Sequence, residues 1–131
     1  FLWGLTFISD FGYHLKMSMN SEIKQTWIDD LRSGKFKQTT GFLWLKGKYT
    51  EFSNKPTSCA GNCCLGVLAR SLKIPYTWKG NRAMFNNNDR LFSKDILDKA
   101  GLSTNEQMTL SIMNDQGKSF NEIADWIEEN L

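Results

Sequence analysis

Two capping boxes fix the C-terminal third of this chain more tightly than any other feature. Ser103 stands three residues before Glu106, and Ser119 three residues before Glu122, with Gly117 between the two pairs. In a capping box the serine hydroxyl takes the third amide of a helix while the Glu carboxylate returns to the serine's own amide, so each pair predicts a helix start. Phe120, Ile123, Ile127 and Leu131 then recur at helical spacing, which gives the last helix one apolar face. Ahead of these, Ser93 is placed to cap a short helix, Phe92 and Leu97 to staple it, and Gly101 to end it.

The N-terminal half reads as mixed. Asn20 or Ser21 can cap a helix that puts Ile23, Trp27, Ile28 and Leu31 on one face, and Gly34 supplies its stop. Phe42 to Leu45 and Tyr49 to Phe52 flank Lys46, Gly47 and Lys48, a pattern that predicts a β-hairpin. Asn62 is a candidate cap for a helix over 63–72 with Leu65, Leu68 and Leu72 as its buried stripe, and Pro75 prevents continuation. Tyr76, Thr77 and Trp78 then face Ala83, Met84 and Phe85 across a glycine-containing turn, a second hairpin, and 86–89 reads as a polar loop. The expected fold is α+β: a small single domain over 19–131, one or two β-hairpins packed against helices, and a helical C-terminal end.

The 131 residues suffice for one continuous core, and five Trp make the chain aromatic-rich. No apolar stretch approaches the roughly 18 to 20 residues of a membrane helix, and the opening residues lack a basic start and a small-residue cleavage site. Neither membrane insertion nor export is expected. Three cysteines, two of them adjacent, do not form a disulfide framework, so a reducing, cytoplasmic setting fits. Met17 and Met19 precede the first clean helix start, and residues 1–18 are expected to lie outside the domain, as upstream sequence, a fusion remnant or the tail of a longer chain. The only histidine, His14, falls in that segment.

Charge is polarised. Residues 19–90 carry twelve Lys and Arg against five Asp and Glu, a net of +7, and residues 91–131 carry three against eight, a net of −5. A basic half suits an anionic partner, and equally a solvated face.

Three groups of residues carry candidate chemistry. Cys59, Cys63 and Cys64 lie at or before a helix start, where the dipole can lower a thiol pKa. A cysteine nucleophile needs a base, and outside 1–18 there is no histidine, so the cysteines are expected to be packing residues and the chain not to be an enzyme. A zinc site would need a fourth ligand and paired knuckles, so no metal or other cofactor is expected. The last two helices could form a helix-turn-helix, but Glu122, Asp125, Glu128 and Glu129 make its second helix acidic, which opposes phosphate contact. The remaining group is a basic strip interleaved with aromatics, from which Arg32, Lys35, Lys37, Trp44, Lys46, Lys48 and Tyr49 are taken as the candidate ligand-binding residues. Cations give phosphate contacts and rings give stacking, with Arg32 as the expected bidentate anchor; the alternative is an ordinary half-exposed sheet face.

Residues 23–38, residues 63–68 (Cys-Cys-Leu-Gly-Val-Leu) and residues 114–131 together resemble a group of small uncharacterised proteins of tailed bacteriophages and prophages. The likeness spans 19–131 in the same order. Ala69 and Arg70 depart from it, since similar sequences often place another Cys just after the Leu-Gly-Val-Leu run. The resemblance implies an accessory protein acting inside a bacterial host cell and brings no catalytic residues with it. The expected function is therefore non-catalytic binding of a host protein or a small anionic ligand. Nucleic-acid binding and cysteine-dependent hydrolysis are the alternatives, and oligomeric state is left open.

Overall fold

The computed structural model describes residues 19–47 and 60–131, so residues 1–18, the return strand expected at Tyr49 to Phe52, and Cys59 lie outside the described residues. Among the described residues, five helices accompany one four-stranded antiparallel sheet, with the C-terminal end helical as expected. The α+β class is confirmed.

Helix α1 spans Ser21–Arg32 and is capped by Asn20, whose side-chain oxygen accepts from the amides of Glu22 and Ile23. Its Trp27, Ile28 and Leu31 are buried, while Ile23 is half-buried. Helix α2 spans Cys64–Ser71 and is the centre of the core. Cys64, Leu65, Gly66, Val67, Leu68 and Ala69 are all buried, because α1 and α4 pack on α2 and the Leu43 backbone lies against Gly66. The expected stripe of Leu65, Leu68 and Leu72 was too narrow: the first six residues of α2 are all buried, Arg70 and Ser71 bring its last turn to the surface, and Leu72 is only half-buried.

Asn62 does not cap α2. That end is closed from another element: the side-chain oxygen of buried Asn114, on α4, accepts from the Cys64 amide at 3.1 Å and from the Gln38 side chain at 2.9 Å. The Asn114 amide in turn donates to the Thr39 carbonyl at 2.7 Å. One buried side chain thus fastens α4 to the start of α2 and to the chain leading into the sheet.

Strands β1 (Trp44–Leu45), β2 (Gly61–Asn62), β3 (Thr77–Lys79) and β4 (Arg82–Met84) lie in the order β2-β1-β4-β3. The hairpin expected over Tyr76 to Phe85 is present as β3 and β4, with Thr77 opposite Met84 and Trp78 opposite Ala83. The return strand of the hairpin expected after Phe42 lies outside the described residues; among those described, β1 pairs with β2 through Trp44 and Leu45 and with β4 through Leu45 opposite Arg82. The 86–89 loop contains a tight turn in which Asn86 and Asn87 take φ of 52° and 65° and Phe85 and Asn88 exchange backbone hydrogen bonds.

Helices α3 (Lys94–Ala100), α4 (Thr104–Asp115) and α5 (Phe120–Asn130) follow the punctuation of the sequence, and both capping boxes form in full. Ser93 precedes α3, but its hydroxyl accepts from the Asn86 side chain at 2.9 Å instead of capping the helix. Helix α5 lies along α1. Among the described residues, no helix is long and apolar enough to cross a membrane.

Candidate functional site

The register of the sheet builds the site. Trp44 stands opposite Asn62 on β2, and Leu45 opposite Arg82 on β4; continuing that antiparallel register places Ala83 opposite Trp44. Ala83 is also opposite Trp78. Asn62, Trp44, Ala83 and Trp78 therefore form one cross-strand row on one face. Ala83 is the small member, and the two indoles close over it with centroids 4.8 Å apart at an interplanar angle of 63°. Tyr76, two residues before Trp78 and so on the same face, adds an edge contact to Trp44 at 4.9 Å.

Cations lie on this aromatic surface. The Lys46 ammonium is 4.2 Å from the Trp78 ring centroid. The Arg70 guanidinium, from the last turn of α2, is 4.0 Å from the Trp44 centroid and 4.8 Å from that of Phe36. It also donates to the Asn62 side-chain oxygen at 3.2 Å, at the other end of the row. Two rings and one amide hold the group in place and leave further N–H donors to spare. Beside it opens a groove of about 440 Å³ lined by Trp44, Arg70, Lys73, Ile74, Pro75 and Tyr76. Among the described residues, no carboxylate lines it. Tyr76 and Trp78 remain 43% and 36% exposed while packing edge-on against each other and Trp44.

Of the candidate residues, Trp44 and Lys46 belong to this surface. Lys35 and Lys37 are exposed and flank Phe36, which brings their segment to Arg70. Lys48 and Tyr49 lie outside the described residues. Arg32 is elsewhere: its guanidinium donates to Asp125 at 2.5 Å and Glu128 at 3.1 Å, and these partners raise its pKa. The expected anchor is thus engaged in joining α1 to α5. Sequence reasoning passed over Arg70, Lys73, Tyr76 and Trp78. The alternation of Tyr76 and Trp78 was a readable signal for the last two.

The thiols sit apart from this groove. Cys63 lies at the start of α2, on a hollow of about 170 Å³ lined by Gly41, Arg90, Leu91, Ser111 and Asp115. Burial pushes its pKa up to about 11, outweighing the Gly66 and Leu65 amides that pull it down. Burial likewise raises Cys64, whose Sγ is 3.6 Å from the Leu110 carbonyl oxygen. Both are protonated thiols at neutral pH and poor nucleophiles. Among the described residues, no group of three or more His, Cys, Asp or Glu side chains could hold a metal ion.

No family model matches this chain, and comparison with curated proteins and with solved structures returned no match.

Proposed function

We propose that this chain is a non-catalytic binding protein for a small anion carrying a flat, stackable group, a nucleotide-like ligand held in the groove between the sheet and the end of α2. The observation that carries this reading is the position of Arg70, held against Trp44 and Phe36 and tied to Asn62 beside a concavity with no carboxylate among its described lining residues. A fixed guanidinium meets a phosphate or carboxylate with little ordering cost, and Tyr76 offers the adjoining ring face. A volume of about 440 Å³ is in the range of small-molecule pockets.

A larger hollow of about 570 Å³ lies on the other side of Ile74 and Pro75, lined by Asn86, Asp95, Ile96, Asp98 and Lys99. Its charges are mixed and its described lining residues include no aromatic ring, so it supports an anion site less well. The phage-protein resemblance agrees with an accessory role inside a bacterial host. Calorimetric titration with nucleoside monophosphates and with short single-stranded DNA, each at two salt concentrations, tests the reading. Saturable one-to-one binding of a mononucleotide, lost in Arg70→Ala, is expected. Binding of DNA alone, with a steep salt dependence, would move the function to nucleic acid.

A further inference from the structure

Helix α2 ends differently from its neighbours. The Ile74 amide donates to the Ala69 carbonyl at 2.9 Å and the Lys73 amide to the Arg70 carbonyl at 3.1 Å, a Schellman closure that requires a left-handed residue just past the helix. After α1, α3 and α4 that position is a glycine, Gly34, Gly101 or Gly117, with φ of 79°, 80° and 93°. After α2 it is Lys73, with φ of 56°. A lysine Cβ makes this conformation sterically unfavourable, and a residue kept in strain points to a use for its side chain. Charge at the helix C-terminus is no sufficient reason, because Arg70 already supplies a cation in the last turn.

Lys73 is exposed and lines the same groove as Arg70. We infer that Lys73 is a second ligand-contacting cation, kept in the left-handed conformation so that the groove selects doubly charged phosphate monoesters over singly charged phosphates. This rests on the anion-binding reading above. A monoester whose second pKa is about 6 carries two charges at neutral pH and can engage the Arg70 fork and the Lys73 ammonium together. A cyclic phosphodiester carries one charge and satisfies only one of them.

The test is titration of the whole chain with adenosine 5′-monophosphate and adenosine 3′,5′-cyclic monophosphate at pH 7.5 and pH 5. A preference of about tenfold for the 5′-monophosphate is expected at pH 7.5, with a loss of most of it at pH 5, where the monoester has gained a proton. Lys73→Gly should abolish the preference while raising the melting temperature by a few degrees, since glycine removes the strain. Lys73→Arg should retain the preference. A wild-type protein that binds both nucleotides equally, or a Lys73→Gly variant that keeps the preference, overturns the inference and leaves the anion site standing. If neither nucleotide binds, the anion-binding reading fails, and this inference with it.

Discussion

Arg70 holds its guanidinium 4.0 Å from the centroid of Trp44, joining the last turn of α2 to the central row of the sheet. The contact relies on the flat indole face, and an aliphatic side chain of comparable bulk cannot replace it. Trp44→Leu should therefore weaken nucleotide binding about tenfold, by loosening Arg70, while costing only about 1 to 2 kcal/mol of stability. Parallel calorimetric and denaturant titrations would separate the two effects. Unchanged affinity would show that Arg70 does not depend on the ring.

Arg32 leads to the opposite expectation. Its partners are Asp125 and Glu128, both exposed, so its role is to pin α5 to α1 across solvent-screened ion pairs. Arg32→Ala should leave nucleotide affinity unchanged and lower the melting temperature slightly, with the difference shrinking as salt is raised. Loss of binding in this variant would return Arg32 to the anion site.

Gly66 carries a sharper structural prediction. A Cβ there would stand 1.6 Å from the Leu43 carbonyl oxygen and 2.6 Å from its carbon, both of them backbone atoms that cannot swing aside. Gly66→Ala should cost about 3 kcal/mol or more, even though alanine is the better helix former, because α2 must move away from the backbone leading into β1. A variant that melts at or above the wild-type temperature would refute this close approach.

The helix signals were legible because caps and stops are local: Asn20, both capping boxes and Gly101 act on residues within one turn. Partners across the sheet were not. The pairing of β1 with β2 and β4 joins segments distant in sequence, and nothing near Trp44 announces Asn62 or Ala83 as its neighbours. The site suffered from the same limit. Lys46 and Trp44 stand out in the sequence because they sit in one basic, aromatic stretch, whereas Arg70 ends an apolar helix and Lys73 lies just past it, where nothing in the local pattern marks them. The ion pairs of Arg32 were not legible because its acidic partners are on α5, at the far end of the chain.

The cysteines give a pH prediction. The Cys63 pKa is raised by burial to about 11, so the folded state holds its proton where an exposed thiol loses it. The folded chain then binds more protons than the unfolded one, and stability falls as pH rises. This contribution is fully present below the ordinary thiol value of about 8.5 and is lost progressively up to about pH 11. Denaturant titrations at pH 7.5 and pH 10 should show that loss, and Cys63→Ala should reduce it. Rapid alkylation of native Cys63 near neutral pH would contradict the burial on which the prediction depends.

The groove itself can be located directly by following backbone, indole and guanidinium N–H signals in a ¹⁵N-labelled protein titrated with adenosine 5′-monophosphate. The predicted result is a set of saturable shifts at the Trp44 and Trp78 indoles, the Arg70 side chain, and the amides of Lys73, Ile74 and Tyr76, with the Arg32 side chain and the Cys63 amide unmoved. Shifts centred on Asp95 to Lys99 or on the Cys63 hollow, or no shifts at millimolar nucleotide, would contradict the assignment of this groove as the binding site.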